Sequence, residues 1–73
     1  MFIVIELQVT ETNAADILTT HNTLQEAESK FHLILSYAAV SEINLHGAMI
    51  IDATDGRVVK YESYNRNEIP PEE

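Results

Sequence analysis

The residues of this sequence that could do chemistry are three histidines, a set of carboxylates and a few serines. His21, His32 and His46 are the candidate soft ligands, and there is no cysteine to join them. Zinc needs four ligands, or three and a water, converging at fixed distance. His32 follows Glu28 by one helical turn, a pair that could share a cation or a proton. As a plain surface pair it would be worth roughly a few tenths of a kcal/mol. No HExxH or comparable ligand spacing occurs, so no metal site and no cofactor are expected.

Nucleophilic and acid–base chemistry find no better footing. Ser29, Ser36 and Ser41 fall in or at the end of a helical stretch, and none stands in a GxSxG elbow. The glycines are Gly47 and Gly56, too few for a phosphate-cradling loop. Asp52 and Asp55 flank a turn, where Asp is favoured for its local hydrogen bonds. No catalytic residue is expected, and the chain does not read as an enzyme.

The element that must position everything else is Thr23 to Ser41. Thr23 with Glu26 fits a capping box, and Glu26 and Glu28 suit the positive end of a helix dipole. Between Leu24 and Ala39 there is no Gly, no Pro and one β-branched residue, Ile34, which favours helix. Leu24, Ala27, Phe31, Ile34, Leu35 and Ala38 recur at helical spacing and form one apolar stripe that must face a core. Leu33, Tyr37 and Val40 form a second stripe on the opposite side, where a solvated face would not need them.

Strands flank this helix. Phe2 to Val9 alternates, and its odd positions, Ile3, Ile5, Leu7 and Val9, are expected to face the helix. Phe2 and Val4 then fall on the far side of the sheet. A turn at Thr12-Asn13, with Asn suited to a left-handed backbone, leads to a short return strand from Asp16 to His21, with Ile17 and Thr19 inward. Glu42 to Leu45 is a connector whose Ile43 and Leu45 seal one end of the core. His46 to Asp52 and Arg57 to Tyr64 are strands joined by the turn Ala53 to Gly56. Gly47 marks a bulge or a close backbone approach.

The order β-β-α-β-β predicts an α+β fold, a two-layer sandwich with one helix on one face of an antiparallel sheet. Residues 1–64 form a single domain, with Phe31, Ile34, Leu35, Ile5, Leu7 and Val59 in one core. Residues 65–73 read as a disordered acidic tail, since Ile69-Pro70-Pro71 cannot continue a strand.

The chain has 73 residues, an apolar fraction of 45%, and four Lys and Arg against twelve Asp and Glu, a formal net charge of −8. That size suits one small core. Binding to nucleic-acid phosphates needs clustered Lys and Arg, so no nucleic-acid partner is expected. No apolar run reaches membrane-spanning length and no charged start precedes an apolar h-region, so no membrane association is expected and the default compartment is cytoplasmic.

Ala27-Glu28-Ser29-Lys30-Phe31-His32 and Ala38-Ala39-Val40-Ser41, with His46, Ala48, Gly56, Glu62 and Tyr64, resemble a group of small proteins encoded by phages, prophages and related elements of Gram-positive gut bacteria. Relatives often carry Tyr where Phe31 stands and Pro near Ile43 to Leu45. The resemblance implies a mobile-element origin and a compact fold, and no activity.

Leu33, Tyr37 and Val40 on the helix, with Phe2 and Val4 on the sheet, are therefore the candidate interface residues. They point to a protein-interaction module that self-associates, most simply as a two-fold homodimer. Two alternatives remain open on the residues alone: an acidic decoy for a basic host protein, and a module binding metal through histidine.

Overall fold

A computed structural model describes residues 1–65. The chain runs β1 (Phe2–Val9), β2 (Ala14–His21), α1 (Leu24–Val40), β3 (Leu45–Asp52) and β4 (Arg57–Asn65). All four strands join one antiparallel sheet in the order β2-β1-β3-β4, with α1 packed on one face. This is the α+β two-layer sandwich that the element order predicts. Of the tail expected over 65–73, Asn65 is instead the last residue of β4, and the rest lies outside the described residues.

The strand order follows from the connections. β2 and β3 both pair antiparallel with β1 from opposite sides, so they run parallel to each other. Parallel strands cannot be joined by a hairpin. The helix supplies the crossover, passing over β1 between short links at 22–23 and 41–44.

Local chemistry sets the helix ends. The Thr23 hydroxyl accepts from the Glu26 N–H at 3.2 Å, satisfying one of the orphan donors of the first turn. At the other end Ser41 leaves the helix in an extended conformation. Its N–H donates to the Ala38 carbonyl at 3.2 Å, and its hydroxyl accepts from the Ile43 N–H at 3.0 Å. The predicted turn at 53–56 also forms. Gly56 takes φ +74°, open to glycine at no steric cost, and its N–H donates to the Asp52 carbonyl at 2.8 Å. Asn13 differs from expectation: its side chain accepts from the Ala14 N–H at 3.0 Å, but its backbone stays at negative φ.

The core consists of Val4, Ala27, Phe31, Ile34, Ala48 and Ile50, with Phe2, Leu35 and Val59 packed against it. The inward placement of Phe31, Ile34, Leu35 and Val59 agrees with the sequence. The face of β1 does not. Directly paired residues share a sheet face, and Val4 pairs with Ile50 while Ile5 pairs with Met49. Val4 is fully buried beneath α1, and Phe2 lies on the same side. Ile3, Ile5, Leu7 and Val9 therefore face away from the helix. Phe2 and Val4 are core residues and not interface candidates, and Ile5 and Leu7 leave the predicted core.

The physical reason lies on β3. Its helix-facing residues are His46, Ala48 and Ile50, and Ala48 is small enough for α1 to sit close. His46 beneath the helix also gives Glu6 a hydrogen-bonding partner at 2.8 Å. Turning β1 over would move Glu6 and Gln8 away from that partner. β1 is apolar on both sides over Phe2 to Ile5, so alternation within it could not decide its face.

Candidate functional site

Among the described residues two apolar surfaces are left uncovered. The first is the outer stripe of α1. Leu33 is 45% exposed, Tyr37 58% and Val40 83%, as the helical spacing predicts, and the 41–44 connector leaves them open. Ser36 beside them turns its hydroxyl back to the Leu33 carbonyl at 2.7 Å, within its own helix.

The second surface is the face of the sheet away from α1. β1 contributes Ile3, Ile5, Leu7 and Val9, all half-buried. β2 adds Leu18 opposite Ile5, and β3 adds Met49 and Ile51 opposite Ile5 and Ile3. β4 adds Val58 opposite Ile51 and Tyr61 opposite Met49. Leu18 is 59% exposed, Val58 51% and Tyr61 48%. Among the described residues the one charged group on this face is Asp16, on edge strand β2. The helix-side face, by contrast, carries Glu6, Asp52, Arg57, Lys60 and Glu62 as well as His21 and His46. The sheet thus turns its more apolar face outward, the reverse of the usual half-covered antiparallel sheet.

Sequence reasoning missed this surface because it assigned β1 by its own alternation. The signal was present elsewhere. Leu45, Met49 and Ile51 on β3 alternate with His46 and Ala48, so β3 offers two usable faces as well.

The histidines occupy three separate places. His21 ends β2 and lies 2.9 Å from the Thr19 hydroxyl through Nε2. His32 is exposed on α1, its ring edge-on to Phe31 at 5.7 Å between centroids. His46 is 4% exposed, with Nε2 2.8 Å from Glu6 Oε2. A carboxylate only accepts, so Nε2 carries the hydrogen. His46 Nδ1 is buried and has no hydrogen-bond partner among the described residues. His46 is therefore a packed histidine held by one carboxylate. No group of three His, Cys, Asp or Glu that could hold a metal ion occurs among the described residues.

Gln8 Nε2 donates to the same Glu6 Oε2 at 2.9 Å. Burial pushes the Glu6 carboxyl up, but the hydrogen bonds from His46 and Gln8, with the nearby charges of His46 and Lys30, outweigh it and leave the carboxyl below its ordinary value. At the far turn the Thr54 N–H donates to Asp52 Oδ1 at 2.9 Å and holds that carboxyl low, against a partial rise from burial. These placements account for Glu6 and Asp52 without chemistry. The i,i+4 pairing considered for Glu28 and His32 is replaced by a longer-range one: Glu28 reaches Lys60 of β4 at 3.5 Å. Lys60 also lies 5.8 Å from the Phe31 ring centroid, within cation–π range.

A half-open groove of about 270 Å³ runs beside Phe31 and His32 of α1 and Lys60 to Glu62 of β4. It is small for a ligand pocket, and its cation is already engaged by Glu28.

Fold and surfaces together define a small α+β sandwich with one helix-covered and one bare sheet face. No family model, no curated protein and no solved structure matches this chain. Among the described residues no helix is long and apolar enough to cross a membrane.

Proposed function

We propose that this protein is an interaction module that self-associates, of phage or mobile-element origin as the sequence resemblance implies, and that it has no catalytic role. The observation that carries the self-association is the pair of bare apolar surfaces: Leu33, Tyr37 and Val40 on the helix, and the sheet face around Leu18, Val58 and Tyr61. One small core cannot cover both, and contiguous exposed apolar surface marks interaction sites.

The decoy reading draws no support from the placement of the acids. Glu6 turns inward to His46, Glu28 pairs with Lys60, and Asp52 and Asp55 cap their own turn. A phosphate mimic needs its carboxylates in an outward row. A metal module built on His32 and His46 draws no support from their placement: His32 is exposed on α1, and His46 is buried against Glu6.

The test is sedimentation velocity over a wide concentration range. A self-associating module shows a concentration-dependent shift from monomer to a larger species. A monomer at every concentration defeats the proposal.

A further inference from the structure

Resting on the self-association proposed above, we infer that the occupant of the bare sheet face is the same face of a second copy, so that two sheets stack on each other with the helices outside.

Three observations select this face and this occupant. The first is the inverted distribution of polarity. The helix covers the face that holds Glu6, Gln8 and His46, while Ile3, Ile5, Leu18, Met49, Ile51 and Val58 face outward. Such a pattern is suited to a sheet with both faces covered. The outer stripe of α1 is a narrower feature of three residues.

The second is charge. The chain carries a formal charge of −8, so most contacts between two copies would bring carboxylates together. Among the described residues the bare face carries one charged group, Asp16, at one edge. Two such faces can meet without burying like charges. A single carboxylate at the edge leaves a basic protein or a cationic surface little to pair with there.

The third is area. Four strands of eight or nine residues, at about 4.8 Å between strands and about 3.3 Å per residue, span a face on the order of 500 Å² in projection. Side-chain relief adds to that. The result reaches the lower end of a specific two-fold interface, about 600–1,000 Å² per partner. Residues 66–73, RNEIPPEE, hold one apolar aliphatic side chain, Ile69, too little for that segment to cover the face. Stacked antiparallel sheets pack about 10 Å apart with interdigitated side chains, and a two-fold axis through the face makes the contact self-complementary.

The experiment compares the full chain with two double variants by sedimentation velocity, with circular dichroism as the check on folding. Leu18→Glu with Tyr61→Glu charges the sheet face at positions already half exposed, so the core is left intact. Leu33→Glu with Tyr37→Glu charges the helix stripe. The expected result is a wild-type dimer, a helix variant that still dimerises, and a sheet variant whose association weakens on the order of a hundredfold or more. A wild-type dimer lost in the helix variant and kept in the sheet variant overturns the sheet-stacking inference and leaves self-association standing. A wild type that is monomeric throughout overturns both. If the sheet variant unfolds, methyl resonances of the wild type decide on dilution. Stacking requires Ile3, Leu18 and Ile51 to move while Ile34 and Ile50 stay. Movement of Leu33 and Val40 instead refutes it.

Discussion

Glu6 and His46 stand 40 residues apart in the chain and meet at 2.8 Å on the helix-side face, joining β1 to β3 through side chains. The contact is one-sided. Glu6 also receives Gln8, whereas His46 Nδ1 is left buried and unpaired among the described residues. The pair therefore links two strands at a definite register while leaving one polar atom without a partner.

The first prediction concerns acid. The Glu6 carboxyl lies below its ordinary value of 4.5 in the fold, and unfolding restores that value. The unfolded chain then holds more protons at this site, so stability falls as pH falls. What Glu6 contributes is complete above the ordinary value and is lost as pH drops through the lowered one. Urea midpoints should hold steady from neutral pH down to about 5 and decline below it. Glu6→Gln should flatten that decline. An identical acid slope in wild type and variant would show that Glu6 is not the group responsible.

The second concerns the coupling within the pair. His46→Ala should cost about 1–3 kcal/mol, because it opens space and strips the half-buried carboxylate of a donor. In a Glu6→Ala background the same change should cost less, since no carboxylate remains to be deprived. A double-mutant cycle by denaturant unfolding measures the difference. Strict additivity would mean that the contact contributes nothing.

The third concerns Gly47. A methyl group built there would lie 2.5 Å from the Ser63 Cβ and 2.6 Å from the Glu62 carbonyl oxygen on β4. The Glu62 oxygen is backbone of edge strand β4, so relieving the contact means shifting β4 against its ladder with β3. Gly47→Ala should therefore destabilise by about 1–3 kcal/mol, as overpacking does. It should also loosen the end of the β3–β4 ladder, seen as faster amide exchange there. Gly47→Ala with Ser63→Gly should recover part of the loss. Unchanged stability in Gly47→Ala would show that the strands separate freely.

Much of the fold is legible from residue spacing because its signals are local. The cap at Thr23, the apolar stripe through Phe31, and the Asp55-Gly56 turn each lie within one element, and the helix and strand bounds follow to within one or two residues. β4 shows the same limit from the other side. Its alternation is readable, but the irregularity that leaves Val59 as the extra residue between Val58 and Lys60 depends on the register with β3. Gly47 reads from sequence as a bulge or a close approach; the bulge lies instead opposite Ile50 and Ile51, and the pairing with Ser63 shows what Gly47 approaches.

The sequence by itself determined one helix, four strands, their succession along the chain and the exposed stripe at Leu33, Tyr37 and Val40; the order β2-β1-β3-β4 within the sheet came from the tertiary structure. Only the tertiary structure decided which face of the sheet the helix covers. That choice turned Phe2 and Val4 inward and left Ile3, Ile5 and Leu7 outside. The reason is that β1 can present an apolar surface on either side near its start. Its orientation is then set by partners distant in sequence: the small Ala48 under the helix and His46 opposite Glu6. Periodicity records what each strand can bury, and the match between strands selects which of its two faces is buried.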